Sequence, residues 1–82
     1  MINLTKFLST HFAPNIRVNC ISPGGVEHEQ GQDFQKKYAE LTPLKRMMKK
    51  HELNDLTEFL ISEKSSYITG SNIVVDGGWT VW

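Results

Sequence analysis

The segment VNCISPGGV, residues 18 to 26, runs like a buried β-strand and then breaks into Pro23, Gly24 and Gly25. A strand puts Val18, Cys20 and Ser22 on one face and Asn19 and Ile21 on the other, and Pro-Gly-Gly ends it. Proline fixes φ and lacks an N–H, while the two glycines permit positive φ and carry no Cβ. Another group could therefore lie against this backbone, with the N–H and C=O of Val26 free to bond it. From the tripeptide alone, a tight turn without a ligand is the favoured interpretation.

The rest of the chain predicts four more elements around this strand. Apolar residues at helical spacing indicate three helices, and Pro14 disfavours helical geometry in the residue before it. A β-branched run closed by Asp-Gly-Gly indicates a second strand. The expected elements are a helix from Met1 to about Ala13, the strand Ile16–Ser22, a short helix carrying Phe34, Tyr38 and Leu41 and ending before Pro43, a helix of roughly Glu52 to Ser62, and a strand in NIVVDGG, residues 72 to 78.

The order helix-strand-helix-helix-strand predicts an α/β fold. A strand that returns to its sheet through helices forms a crossover, which pairs the two strands in parallel. Two strands are too few to bury both faces of a parallel sheet. We therefore expect the sheet to need more strands than these residues supply.

The composition excludes several classes of protein. With 82 residues the chain forms one domain at most, and its nine basic residues balance nine acidic ones. We therefore expect neither nucleic acid nor a membrane as a partner. Cys20 is the only cysteine, which excludes an internal disulfide and favours a reducing, cytoplasmic location.

Several segments match one family in order and spacing. They are NCISPGGV (19–26), PLKRM (43–47), ELNDLTEFLIS (52–62) and SSYITGSNIVVDGG (65–78). Together they closely resemble the carboxyl-terminal part of the short-chain dehydrogenases/reductases, and the resemblance covers essentially the whole chain. Several matched segments in register are far more specific than any one of them.

The resemblance implies the carboxyl-terminal portion of a Rossmann-like, doubly wound parallel sheet, with residues 1–82 as a fragment of a single domain. It also implies NAD or NADP as cofactor and hydride transfer between the nicotinamide and a carbonyl or alcohol substrate. Pro23, Gly24, Gly25 and Val26 are then the cofactor-binding residues, and the backbone of Val26 holds the carboxamide. The stretch from Glu27 to Leu41 matches the variable substrate-covering region. The last helix and strand match pairing surfaces, so a homo-oligomer is expected.

The catalytic machinery of the family is missing from these residues. No Gly-x-x-x-Gly-x-Gly phosphate loop and no Tyr-x-x-x-Lys occur: Tyr38 is followed four places later by Thr42, and Tyr67 by Ser71. His28 stands where many family members have a threonine that contacts the cofactor diphosphate. We therefore expect no catalytic residue here and an inactive isolated chain. The alternative is a non-catalytic interaction module that docks on a full-length relative through the surviving oligomer surfaces.

Other candidate sites have simpler explanations. The spacing of the histidines and Cys20 matches no ligand pattern, so we expect no metal site. The basic run from Lys45 to His51 could form a phosphate-binding module, but a solvated face is favoured. Trp79 and Trp82 indicate an anchor or a subunit contact.

The 82-residue chain by itself is expected to show no dehydrogenase activity and negligible affinity for NADH or NADPH. The reason is the missing phosphate loop, whose backbone N–H groups and helix dipole normally hold the pyrophosphate. Fluorescence titration of the purified chain with both cofactors measures this. Micromolar binding by chain of the correct mass would contradict the expectation.

Overall fold

The computed structural model describes residues 1–81, which divide into two compact units. The first unit comprises Met1–Ile21 and Leu53–Ile73, and the second comprises Ser22–Glu52 and the residues that follow Ile73. The expected anchoring role of Trp82 lies outside the described residues.

The first helix, α1, spans Ile2–His11 and packs through its small polar side chains. Thr5 and Ser9 are buried, and each hydroxyl donates to a backbone carbonyl one turn earlier, Thr5 to Met1 and Ser9 to Lys6. These bonds remove the cost of burying the two hydroxyls. The apolar side chains lie on the other side, where Phe7 is 62% exposed.

Two parallel strands follow, β1 (Cys20–Pro23) and β2 (Asn72–Val75). The ladder includes Cys20 N–H donating to Ser71 C=O at 2.9 Å and Gly24 N–H donating to Val75 C=O at 2.8 Å. The predicted α/β class with parallel pairing is thereby confirmed.

The predicted start of the first strand at Ile16 is wrong, because β1 begins at Cys20. Just before Cys20, side-chain oxygens accept from backbone N–H groups that a regular ladder would pair with backbone carbonyls. The Asn19 amide donates to Ile68 C=O at 3.0 Å and its oxygen accepts from Ser71 N–H at 3.0 Å. Val18 N–H donates to the hydroxyl of Thr69 at 3.1 Å. Pro23 has no N–H to donate, and the pairing with β2 needs none there, because alternate residues bond the neighbouring strand and Gly24 N–H makes the bond to Val75.

The second helix, α2, spans Gln32–Leu41, as the apolar spacing predicts. It ends at Thr42, whose backbone is extended with ψ of 132°. This follows from Pro43, because a residue that precedes proline disfavours helical geometry. Thr42 is 1% exposed, and its hydroxyl donates to Tyr38 C=O at 2.9 Å.

The third helix, α3, spans Asn54–Ile61 and follows a 3₁₀ turn over Lys50–Leu53. Its carboxyl end is held by Arg17, whose guanidinium donates to the carbonyls of Leu60, Ser62 and Ile68 at 3.0 to 3.1 Å. Further 3₁₀ turns lie at Glu63–Ser65 and Trp79–Val81. None of the helices within residues 1–81 has the length and apolar character needed to cross a bilayer.

The isolated 82-residue chain is expected to self-associate or to unfold. Among residues 1–81 the buried hydrophobic side chains are Met47 and Leu60, at 6% and 9% exposure, and the sheet has two strands. A two-stranded sheet is marginal in water, and open strand edges recruit other strands. Light-scattering mass and amide hydrogen exchange measure the outcome. A monodisperse monomer with strongly protected amides in β1 would refute this expectation.

Candidate functional site

The glycine turns that follow β1 and β2 both leave the sheet at its carboxyl edge. Parallel pairing puts the carboxyl ends of neighbouring strands side by side, so Pro23-Gly24-Gly25 and Asp76-Gly77-Gly78 share that edge. In open parallel sheets, ligands bind outside the carboxyl ends of the strands. The second unit therefore contains the candidate site.

Gly24 and Gly25 are required for space and not for an unusual backbone conformation. A Cβ on Gly24 would lie 2.9 Å from Asp76 Cα, and a Cβ on Gly25 would lie 2.5 Å from Tyr38 Cζ. The glycines with positive φ in the described chain are Gly70, Gly77 and Gly78. The positive φ that glycine permits is therefore not used at Gly24 or Gly25, and the atoms closest to them belong to Asp76 and Tyr38.

The group that makes this close approach is Tyr38 of α2. Gly25 N–H donates to Tyr38 Oη at 2.6 Å, and the ring occupies the space that a Gly25 side chain would need. The ring also stacks on Trp79, with centroids 4.6 Å apart and planes 20° from parallel. The helical spacing of Phe34, Tyr38 and Leu41 predicted only that Tyr38 lies on the apolar side of a helix. Its hydroxyl, on an otherwise apolar stripe, was the available signal for a polar contact.

Val26 is held by a short parallel bridge to Met48. Met48 N–H donates to Gly25 C=O at 3.0 Å, and Glu27 N–H donates to Met48 C=O at 2.6 Å. The bridge uses the C=O of Gly25 and the N–H of Glu27. The N–H and C=O of Val26 therefore point away from Met48. The Val26 C=O accepts from the Gln30 amide at 3.2 Å. The sequence did not predict this bridge, because the basic run from Lys45 to His51 favoured a solvated face.

An ion pair fixes the segment that carries Met48. Arg46 donates to both carboxylate oxygens of Glu52, at 2.5 and 2.9 Å, and Lys49 N–H donates to the same carboxylate at 2.9 Å. The hydrogen bonds from Arg46, and then from Lys49, lower the pKa of Glu52 to about 2. The bond to Glu52 likewise raises the pKa of Arg46. Arg46 therefore has its counter-ion within the chain, although so exposed a pair contributes little stability.

A cavity of about 120 Å³ lies at the strand ends. Its lining includes Gly24, Gly25, Tyr38 and Asp76. Asp76 accepts from Gly78 N–H at 2.9 Å and from Thr80 N–H at 3.1 Å. Hydrogen bonds from Thr80, and then from backbone N–H groups, lower the pKa of Asp76. This carboxylate is thus ionised and caps the turn after β2.

The remaining candidates are dispersed. His11 stacks on Phe7 with centroids 5.8 Å apart, and the Cys20 thiol donates to Asn72 Oδ1 at 3.3 Å. His28 faces an open cleft with Glu27, Lys49 and Lys50. Within residues 1–81 no group of three or more His, Cys, Asp or Glu side chains is arranged to hold a metal ion.

Parallel strands joined through helices, with glycine turns beside a cavity at their carboxyl edge, are the arrangement of a Rossmann-like α/β protein. The family model described as enoyl-(acyl carrier protein) reductase matches residues 1–80, and the chain belongs to this family of short-chain dehydrogenases/reductases. The predicted family and the predicted Rossmann-like fold are both confirmed.

Curated relatives match nearly all of the chain. An uncharacterized oxidoreductase, YmfI of Bacillus subtilis, is 39% identical over 82 residues, which cover 94% of this chain and 34% of that protein. Tropinone reductase-like 3 of Erythroxylum coca is 38% identical over 84 residues, covering 95% and 33%. The chain therefore spans about a third of the length of these relatives.

Solved structures agree with this chain in fold and sequence. A short-chain dehydrogenase from Leptospira borgpetersenii with bound NAD+ is 48% identical, with a TM-score of 0.90, over 96% of this chain and 32% of that one. A 4-hydroxyisoleucine dehydrogenase complexed with NADH is 35% identical, with a TM-score of 0.90, over 99% and 36%. NAD(P) as the cofactor of complete family enzymes is thereby confirmed.

Gly25→Ala is expected to destabilise the fold through Tyr38. The measurement uses a chimeric dehydrogenase, in which residues 1–82 replace the matching third of the Leptospira enzyme. The new Cβ would overlap the Tyr38 ring, which costs about 1–3 kcal/mol in the free energy of unfolding. Adding Tyr38→Ala removes the overlap, so the double variant should lose about 1 kcal/mol less than the sum of the single variants.

Urea unfolding of the four proteins of this cycle gives the coupling. Gly31→Ala is the matched control, because a Cβ there has nothing within 4 Å. Additive losses would show that Tyr38 is not the reason for glycine at position 25.

Proposed function

We propose that residues 1–82 form the carboxyl-terminal, cofactor-facing part of a single Rossmann-type domain of an NAD(P)-dependent short-chain dehydrogenase/reductase. In this proposal Pro23, Gly24, Gly25 and Val26 lie against the nicotinamide. The domain transfers hydride between the nicotinamide and a small carbonyl or alcohol substrate. Family membership supports the reaction class, and the geometry of this segment supports the assignment of its residues.

The observation that carries the proposal is the orientation of the Val26 peptide groups. The bridge to Met48 engages Gly25 C=O and Glu27 N–H, and so turns the Val26 N–H away from Met48. An amide held in this way can bond a carboxamide oxygen without rearranging, which reduces the entropy lost on binding. The carboxamide of nicotinamide supplies such an oxygen.

The acid–base chemistry of the proposed reaction comes from outside these residues. Tyr38 Oη accepts from Gly25 N–H, and Tyr67 is fully exposed. Neither tyrosine is followed four residues later by a lysine: Thr42 follows Tyr38 and Ser71 follows Tyr67. In this proposal the chain itself binds and orients the nicotinamide, and α2 contacts the binding segment through Tyr38.

The substrate is proposed to be a small polyol, sugar or cyclic alcohol or its carbonyl form. Relatives of comparable similarity include sorbose reductase sou1 of Schizosaccharomyces pombe and trans-4-hydroxycyclohexanecarboxylate dehydrogenase of Sinomonas cyclohexanicum, both 38% identical. We also propose that the protein is a cytoplasmic homo-oligomer. The free thiol of Cys20 is compatible with a reducing compartment.

A non-catalytic interaction module is the second candidate. It is favoured by the apolar side of α1, on which Leu4 and Phe7 are 55% and 62% exposed. Apolar patches of this kind mark protein contact sites. In this alternative the chain docks on a full-length relative and binds no cofactor itself.

Binding of NADH to the chimeric dehydrogenase tests the proposal. We expect a Kd within about tenfold of that of the unmodified Leptospira enzyme, since the loss of one good contact corresponds to about that factor. Val26→Pro removes the N–H and should weaken binding about tenfold. Val26→Ala is the matched control, because it shortens the side chain and keeps the N–H.

The outcomes separate the two candidates. A folded chimera that binds no NADH would overturn the dehydrogenase proposal, and co-purification of the chain with a full-length relative would then favour the interaction module. Equal NADH affinity of the Val26→Pro and Val26→Ala variants would overturn the role of the Val26 amide.

A further inference from the structure

The segment Gly24–Val26 is held by hydrogen bonds on both sides of Gly25. On one side, Gly24 N–H donates to Val75 C=O at 2.8 Å and Gly25 N–H donates to Tyr38 Oη at 2.6 Å. On the other side, Gly25 C=O accepts from Met48 N–H at 3.0 Å. Both peptide planes that meet at the Gly25 Cα are therefore fixed.

Fixing both planes matters because Gly25 is a glycine. A peptide unit is planar and trans, so Gly25 C=O and Val26 N–H point in opposite directions within one unit. Two soft dihedrals, φ and ψ of Gly25, decide how this unit is oriented relative to the preceding one. Glycine restricts these dihedrals less than any other residue, so contacts must supply the restriction.

The Tyr38 side chain is held by two contacts of its ring and one hydrogen bond of its hydroxyl. The ring stacks on Trp79 and fills the space beside the Gly25 Cα, and the hydroxyl accepts from Gly25 N–H. The Thr42 hydroxyl donates to the Tyr38 C=O at 2.9 Å and so holds the backbone that carries this ring. Through its bond to Gly25 N–H, the Tyr38 hydroxyl therefore restrains the peptide unit between Gly24 and Gly25.

We infer that Tyr38 is a positioning residue for the nicotinamide: its hydroxyl holds Gly25 so that the Val26 amide is oriented for the carboxamide before the cofactor binds. This inference rests on the proposed function. Tyr38 also links α2 to the segment Gly24–Val26, because it belongs to the helix and its hydroxyl bonds Gly25 N–H. Removal of the hydroxyl should weaken cofactor binding and leave the chemical step unchanged.

Tyr38→Phe in the chimeric dehydrogenase tests this inference, because it removes the hydroxyl and keeps the ring against Trp79. We expect the KM and Kd for the nicotinamide cofactor to rise about fivefold, as for one lost hydrogen bond to the main chain. We expect kcat to stay within about twofold and the Gly25 amide to exchange faster with solvent. Tyr67→Phe is the matched control, because the Tyr67 hydroxyl belongs to a fully exposed side chain.

Each outcome decides the inference. Higher cofactor KM with unchanged kcat and unchanged melting temperature supports it. Unchanged cofactor KM with faster Gly25 exchange overturns it, as does an equal loss in Tyr67→Phe. A fall in melting temperature and kcat together with the rise in KM assigns Tyr38 a structural role and also overturns it. Failure of the proposed function is distinguishable, because the chimera would then bind no cofactor before any residue is changed.

Discussion

The parallel pairing of β1 with β2 brings two glycine turns to one edge of the sheet, and the candidate site depends on it. In an antiparallel pair, the residues after one strand lie beside those before the other. Here Gly24 instead lies next to Asp76, and a Cβ on Gly24 would lie only 2.9 Å from the Cα of Asp76. The helices between the strands are the connection that parallel pairing requires.

At that edge the chain packs its own aromatic side chain against bare backbone. Tyr38 occupies the space left by the missing Cβ of Gly25, and its hydroxyl accepts the hydrogen bond of the Gly25 N–H. A glycine in this place thus serves an internal contact as well as the ligand that we propose. One residue later, the bridge to Met48 engages Gly25 C=O and Glu27 N–H and so directs the peptide groups of Val26 away from Met48.

The charged groups around the site are satisfied within the chain. Arg46 pairs with Glu52, and Asp76 caps the turn that follows its strand. What the site presents to a ligand is therefore mostly main chain, apolar surface and the tyrosine. Such a surface suits the flat, uncharged carboxamide end of a nicotinamide better than a phosphate. The acid–base groups of a dehydrogenase have no counterpart among these residues.

The sequence by itself determined the class of fold and the family. Helical spacing predicted the three α-helices, because side-chain periodicity follows from local geometry, and a β-branched run predicted β2. Pro43 correctly predicted the end of α2, since the restriction acts on the adjacent residue. The matched motifs identified the family because several occur in register.

Only the tertiary structure decided what the site residues contact. Strand β1 begins at Cys20 because the Asn19 side chain bonds Ile68 and Ser71, which are about fifty residues away along the chain. The bridge of Val26 to Met48 and the contact of Tyr38 with Gly25 are also long-range. Periodicity and local preference describe neighbours along the chain. The partner of a backbone N–H depends on which segments meet in three dimensions, and that is set by packing of the whole unit.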